Sequence, residues 1–94
     1  MYGIIIDVKV DPNREEEAKS MVVGMIVPKA KAHQGIVAGY WFRELDGSIL
    51  RSVQLYDTKS NALAIAGQIQ AAGRPPGAPV TLLSVNTYDV IAQV

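Results

Sequence analysis

A chain of 94 residues has room for one domain, spanning 1–94, and a domain that small buries only roughly 60–65 % of the surface its unfolded chain exposes, so help from a second copy is expected. Nine basic residues balance nine acidic ones, and their scatter along the chain removes the long-range field that draws proteins to nucleic acid or anionic lipid. Without cysteine, disulfides, thiolate catalysis and cysteine-held metals or iron–sulfur clusters are excluded.

The N-terminal stretch MYGIIIDVKV lacks a basic leader region and a small-residue cleavage site, and its apolar run is too short to span a bilayer, so a cytoplasmic protein with no membrane partner is expected. Its period of two makes it a strand: Tyr2, Ile4, Ile6, Val8 and Val10 on one side, with Gly3, Ile5, Asp7 and Lys9 on the other. Asp11-Pro12 reads as a helix entry, the carboxylate accepting from free amides and the proline occupying a first-turn position. Glu15, Glu16 and Glu17 then sit where the helix dipole favours negative charge. Ala18, Met21, Val22, Met25, Ile26 and Lys29 continue an amphipathic stripe. Pro28 has no N–H for the Gly24 carbonyl, so the helix should kink or tighten there before fading into Lys29–Gln34.

The firmest local feature is the stretch from Gly35 to Thr58. Ile36 to Leu45 and Ser48 to Tyr56 are rich in β-branched and aromatic residues, and Asp46-Gly47 between them is the dipeptide a tight type I′ turn prefers. A two-residue turn pairs Arg43 with Leu50, Trp41 with Ser52, Gly39 with Gln54 and Val37 with Tyr56; Ala38, Tyr40, Phe42 and Glu44 then share the opposite face with Leu55, Val53, Arg51 and Ile49. Both faces carry large apolar groups, so both should meet protein. Asp57 and Thr58 are alternative caps for a second helix, whose stripe Ala62, Ile65, Ala66, Ile69 and Ala72 allows close approach to a sheet. Gly73 ends it, the three prolines of Gly73–Pro79 make a stiff loop, and Val80–Val94 supplies a last strand and an extended tail.

The order βαββαβ is that of the ferredoxin-like split βαβ fold, an α+β architecture in which two helices cover one face of a four-stranded antiparallel sheet. The uncovered face, with Ile5, one side of the hairpin and alternate residues of the last strand, is too apolar to leave in water. A homodimer built through the sheets is expected, with Trp41, Leu50, Gln54 and Tyr56 at the interface and the last strand reaching across. The element order, the hairpin GYWFRELDGS, the helix entry YDTKSNALAIA and the closing VNTYDVIAQV resemble the dimeric α+β barrel superfamily, in its antibiotic-biosynthesis-monooxygenase-like branch. The resemblance implies a dimer packed through open sheet faces and a ligand cavity between each sheet and its own helices. It also implies activities that include cofactor-independent oxygenation of phenols and quinols and heme degradation, the latter using a histidine associated with the second helix together with an asparagine and a tryptophan. No histidine lies in the second helix here.

His33, the single histidine, is the first candidate for a proton shuttle, against the plainer reading of a polar residue in an exposed connection. Tyr40, Arg51, Asn86 and Tyr88 could hold or deprotonate a substrate hydroxyl in a dry pocket, while Trp41 either packs at the dimer interface or barrel or walls a planar ligand. Arg43 and Arg51 could pair with Glu44 or clamp a substrate carboxylate, and Asp7 could be a base or accept from Arg43 or a backbone amide. No ligand cluster suggests a metal and no phosphate-cradling spacing suggests a nucleotide, so no cofactor is expected. Two functions stay open: a cofactor-independent monooxygenase acting on a planar phenol- or quinol-like small molecule, and a non-catalytic small-molecule-binding or accessory dimer.

Overall fold

The computed structural model describes residues 1–73 and 76–94. Four antiparallel strands, β1 (Tyr2–Val10), β2 (Ile36–Arg43), β3 (Ile49–Tyr56) and β4 (Val80–Asp89), form one sheet in the order β2-β3-β1-β4. The split βαβ arrangement follows: the two central strands are the first and third in sequence. Their inward residues pair across the sheet, Tyr2 with Tyr56, Ile4 with Gln54, Ile6 with Ser52 and Val8 with Leu50. Ile4, Ile6, Val8 and Val10 are buried there against Ala18 of the first helix, Ala62, Ile65 and Ala66 of the second, and Val80 of β4. Each such isoleucine or valine contributes ~1.5–3 kcal/mol on leaving water.

The second helix, Lys59–Ala72, is capped by Thr58 and not by Asp57. Thr58 has extended backbone angles and its hydroxyl accepts from the Asn61 N–H at 3.1 Å, while the Asn61 side chain ties back to Asp57 at 2.9 Å. Alanines at 62 and 66 let this helix lie on the sheet, leaving Tyr56 beneath it with no exposure.

The first helix departs from expectation at both ends. Asp11 closes a turn by accepting from the Asn13 N–H at 3.0 Å, and helical backbone begins only at Glu15. Around Pro28 the helix widens instead of tightening: α-helical Glu15–Met21 passes into π-helical Val22–Ile26 and back to α-helical Val27–Lys31, with the Val27 N–H donating to the Val22 carbonyl five residues back. Proline leaves the Gly24 carbonyl without its usual donor, and a wide turn just before it absorbs the mismatch.

The hairpin keeps the expected register at Arg43–Leu50, Trp41–Ser52 and Gly39–Gln54. The turn is not type I′, because positive φ among the described residues occurs only at Gly35, Gly73 and Gly77; Glu44 donates to the Ile49 carbonyl at 2.9 Å and closes a wider loop. At the other end Ile36, not Val37, lies opposite Tyr56. Gly35, at φ 80°, turns its carbonyl to the Asp57 N–H at 3.0 Å, which pins Ile36 beside Tyr56 and leaves Val37 as a bulge. A side chain at Gly35 would meet Asn61 and Asp57.

The expected dimer residues Trp41, Leu50, Gln54 and Tyr56 face the helices, and Gln54 and Tyr56 are buried within the chain. They share the face of Ile4 and Ile6 across the β1–β3 ladder, so alternation commits them to the core. The uncovered face carries Ile5, Val53, Leu55, Ala38, Tyr40 and Phe42. β4 ends at Asp89, with Leu83 bulged out between the pairs Asp7–Ser84 and Val8–Leu82. Of the proline-rich loop, Arg74 and Pro75 lie outside the described residues. No described helix is long and apolar enough to cross a membrane.

Candidate functional site

A cleft of about 580 Å³ opens between the first helix and the β2–β3 end of the sheet, within the roughly 300–1,000 Å³ usual for small-molecule sites. Three sequence features make it. The π-helical stretch sets Val22 and Val27 along one wall. Gly39 has no side chain, and the Trp41 indole lies over it so closely that an added Cβ would sit 3.1 Å from the ring. β2 is an edge strand, so nothing beyond it closes the opening. Trp41 and Leu50 therefore line it together, and the charged groups Glu15, Glu16, Lys19 and Arg43 are exposed around it. Deeper in, a cavity of about 20 Å³ shares Val22, Trp41 and Leu50 with the cleft; Ser52 is its polar wall among Ile6, Val8 and Ile26.

A chain of polar side chains runs beneath the helices at the other end of the same face. The Tyr56 hydroxyl donates to Gln54 Oε1 at 2.7 Å and lies 2.9 Å from His33 Nδ1. With its own proton directed to Gln54, the Tyr56 oxygen accepts from His33, which fixes the proton on Nδ1 and leaves Nε2 as the acceptor. Burial pushes the Tyr56 pKa up to about 12. Burial, and then the nearby Lys29 charge, hold the His33 pKa below its ordinary 6.5, because both disfavour a cationic ring. A smaller space of about 130 Å³ between the helix ends is lined by His33, Lys29 and Gln68. His33 is thus an oriented, neutral imidazole on the cleft's face, though not a wall of the cleft.

Arg51, Asn86 and Tyr88 occupy the opposite, uncovered face, and Tyr40 shares their phase but, on the edge strand beside Trp41, also lines the rim of the cleft. Arg51 forms a two-pronged ion pair with Asp7, Nε to Oδ1 at 2.7 Å and the second nitrogen to Oδ2 at 2.9 Å. That hydrogen bond holds the Asp7 carboxyl below its ordinary value, and it raises the guanidinium pKa, with lesser contributions from Tyr88 and Glu44. The Asp7 partner is Arg51 and not Arg43, and Arg51 pairs with Asp7 and not Glu44. Tyr40 stacks on Phe42 with ring centroids 6.3 Å apart, and Asn86 lies opposite Ile5. The structure brings Arg51 and Tyr88 into one electrostatic neighbourhood and keeps His33 apart from all four. Among the described residues no three histidine, aspartate or glutamate side chains converge as a metal site. Ser52, Gln54 and Gly39 join the site only in the structure; the sequence signal for the first two is polar residues at 52 and 54 in phase with inward Leu50 and Tyr56.

No family model matches the sequence and no curated protein is significantly similar to it. Solved structures do match. A heme-degrader, MhuD from Mycobacterium tuberculosis, with two hemes bound in its active site, superposes with a TM-score of 0.78 at 17 % identity over 100 % of this chain and 99 % of its own. NE2512, a protein of unknown function from Nitrosomonas europaea, gives 0.72 at 14 % identity over 99 % and 91 %. The monooxygenase ActVA-Orf6 of Streptomyces coelicolor, in complex with nanaomycin D, gives 0.62 at 8 % identity over 99 % and 89 %. The chain has the ferredoxin-like α+β fold that these structures share.

Proposed function

We propose that residues 1–94 form one cytoplasmic domain that binds a planar phenol- or quinol-like molecule in the cleft against Trp41 and oxygenates it without a cofactor. The observation that carries the reading is the cleft itself, about 580 Å³ and lined by the Trp41 indole, whose outer edge lies close over Gly39; planar π-systems bind well against aromatic walls. Two structures of the same fold hold planar ligands, heme and nanaomycin D. The reaction balances without an external reductant: an anthrone-type CH₂ loses two hydrogens, one atom of dioxygen becomes the new carbonyl, and the other leaves as water. What the protein must supply is desolvation and a base. His33, the base candidate of the sequence, lies at the other end of that face and lines a separate space, so the cleft's own contribution is desolvation. Arg51, Asn86 and Tyr88 are assigned instead to the open face, where a second copy covers Ile5, Val53 and Phe42, and Tyr40 stands at the cleft's rim.

One observation favours a binding protein without catalysis: the charged side chains lining the cleft stand exposed at its rim, while Val22, Trp41 and Leu50 make its inner wall apolar. Oxygen uptake with anthrone separates the two readings. Turnover that falls at least ~10-fold in Trp41→Ala supports the oxygenase. Saturable quenching of Trp41, the single tryptophan, without uptake supports the binder, and neither signal removes the cleft as a site.

A further inference from the structure

Ser52 lies in the middle of β3, 4 % exposed, on the face covered by the helices. Among the described residues its hydroxyl makes no side-chain hydrogen bond. Its neighbour two positions on, Gln54, is equally buried and is tied to Tyr56. A buried hydroxyl without a partner is rare, because nothing replaces the water bonds it loses. Ser52 also lines the cavity of about 20 Å³ whose other walls are apolar. That volume suits one oxygen atom and cannot take a ring. Val22, Trp41 and Leu50 line both this cavity and the cleft, so the two spaces adjoin at these three side chains, with Ser52 as the hydrogen-bonding group on the inner side.

We propose that Ser52 is the specificity-determining residue of the cleft: the ring of a planar aromatic ligand stays on Trp41 while one hydroxyl passes inward and hydrogen-bonds the Ser52 hydroxyl. The inference rests on the cleft being the ligand site and adds which chemical feature of the ligand it selects. A ligand without the hydroxyl leaves Ser52 as unpaired as it is in the free protein, so only the hydroxylated ligand gains a hydrogen bond.

The test is equilibrium dialysis of the protein with 2-naphthol and with naphthalene, repeated on Ser52→Ala. Wild type should bind 2-naphthol roughly 10-fold more tightly, and Ser52→Ala should bring the ratio to about one while leaving naphthalene binding unchanged. The variant removes only an unpaired hydroxyl, so its Tm should stay level or rise; should it not fold, Ser52→Cys keeps the volume with a much weaker hydrogen-bonding group and should lower the ratio in the same way. A preference that persists in the folded variant, or is absent from wild type, overturns the role of Ser52 and leaves the cleft standing. Binding of neither compound overturns both.

Discussion

The two faces of this sheet treat polar side chains in opposite ways. On the open face Arg51 and Asp7 meet in good bidentate geometry, yet Arg51 is half exposed, and water replaces either partner with little loss. Beneath the helices the groups are uncharged and few, but Tyr56 and Gln54 are buried and depend on each other and on His33. Charge draws the eye to the open face; dependence lies on the covered one, because a desolvated group without a partner forfeits what water would have supplied. The cleft belongs to that second face. The open face, with Tyr40 and Phe42 half exposed beside Val53 and Ile5, is suited to meeting a second copy.

The largest expected effect breaks the comparison on its open side. Val53→Glu puts a charge in the centre of that face, and sedimentation at micromolar concentration should fall from about twice the 10.1 kDa chain mass to the chain mass itself. A wild type that sediments as one chain would remove the assembly role from this face.

Next in size is Tyr56→Phe, which deletes the hydroxyl between His33 and Gln54. It should cost ~1–3 kcal/mol in urea unfolding, more than Arg51→Ala on the other face. Equal losses would show that the two faces do not differ in this respect.

Protonation sharpens the contrast further. The folded His33 pKa is lowered, so between that value and 6.5 the unfolded chain binds a proton that the folded chain does not. Its contribution is complete above 6.5 and is lost as pH falls through the folded value. His33→Gln should flatten the fall in Tm between pH 6.5 and the folded value. On the open face Asp7 is also lowered, from 3.8. Its contribution is present above 3.8 and disappears only as pH falls below, with the smallest amplitude because the pair is exposed, and with attenuation in 1 M salt. Comparing Asp7→Asn with wild type across acid pH, at two salt concentrations, checks both the window and the screening.

Composition and periodicity alone determined much of this protein. The alternation of Tyr2–Val10, the stripe Ala62, Ile65, Ala66 and the register Arg43–Leu50 are local patterns, imposed by the two-residue period of a strand and the 3.6-residue period of a helix, and the structure repeats them. Which side of the hairpin the helices would cover was not a local property. Both sides are apolar, and only the pairing of β3 with β1 puts Leu50, Ser52, Gln54 and Tyr56 in line with Ile4 and Ile6, so Trp41 faces inward and four of the five expected site residues face outward. The cleft was still less visible in the sequence. It exists because a helix widened before Pro28 passes above Trp41 on a distant edge strand, where Gly39 leaves room for the indole. Empty space is set by how elements meet, and no single stretch of chain encodes it.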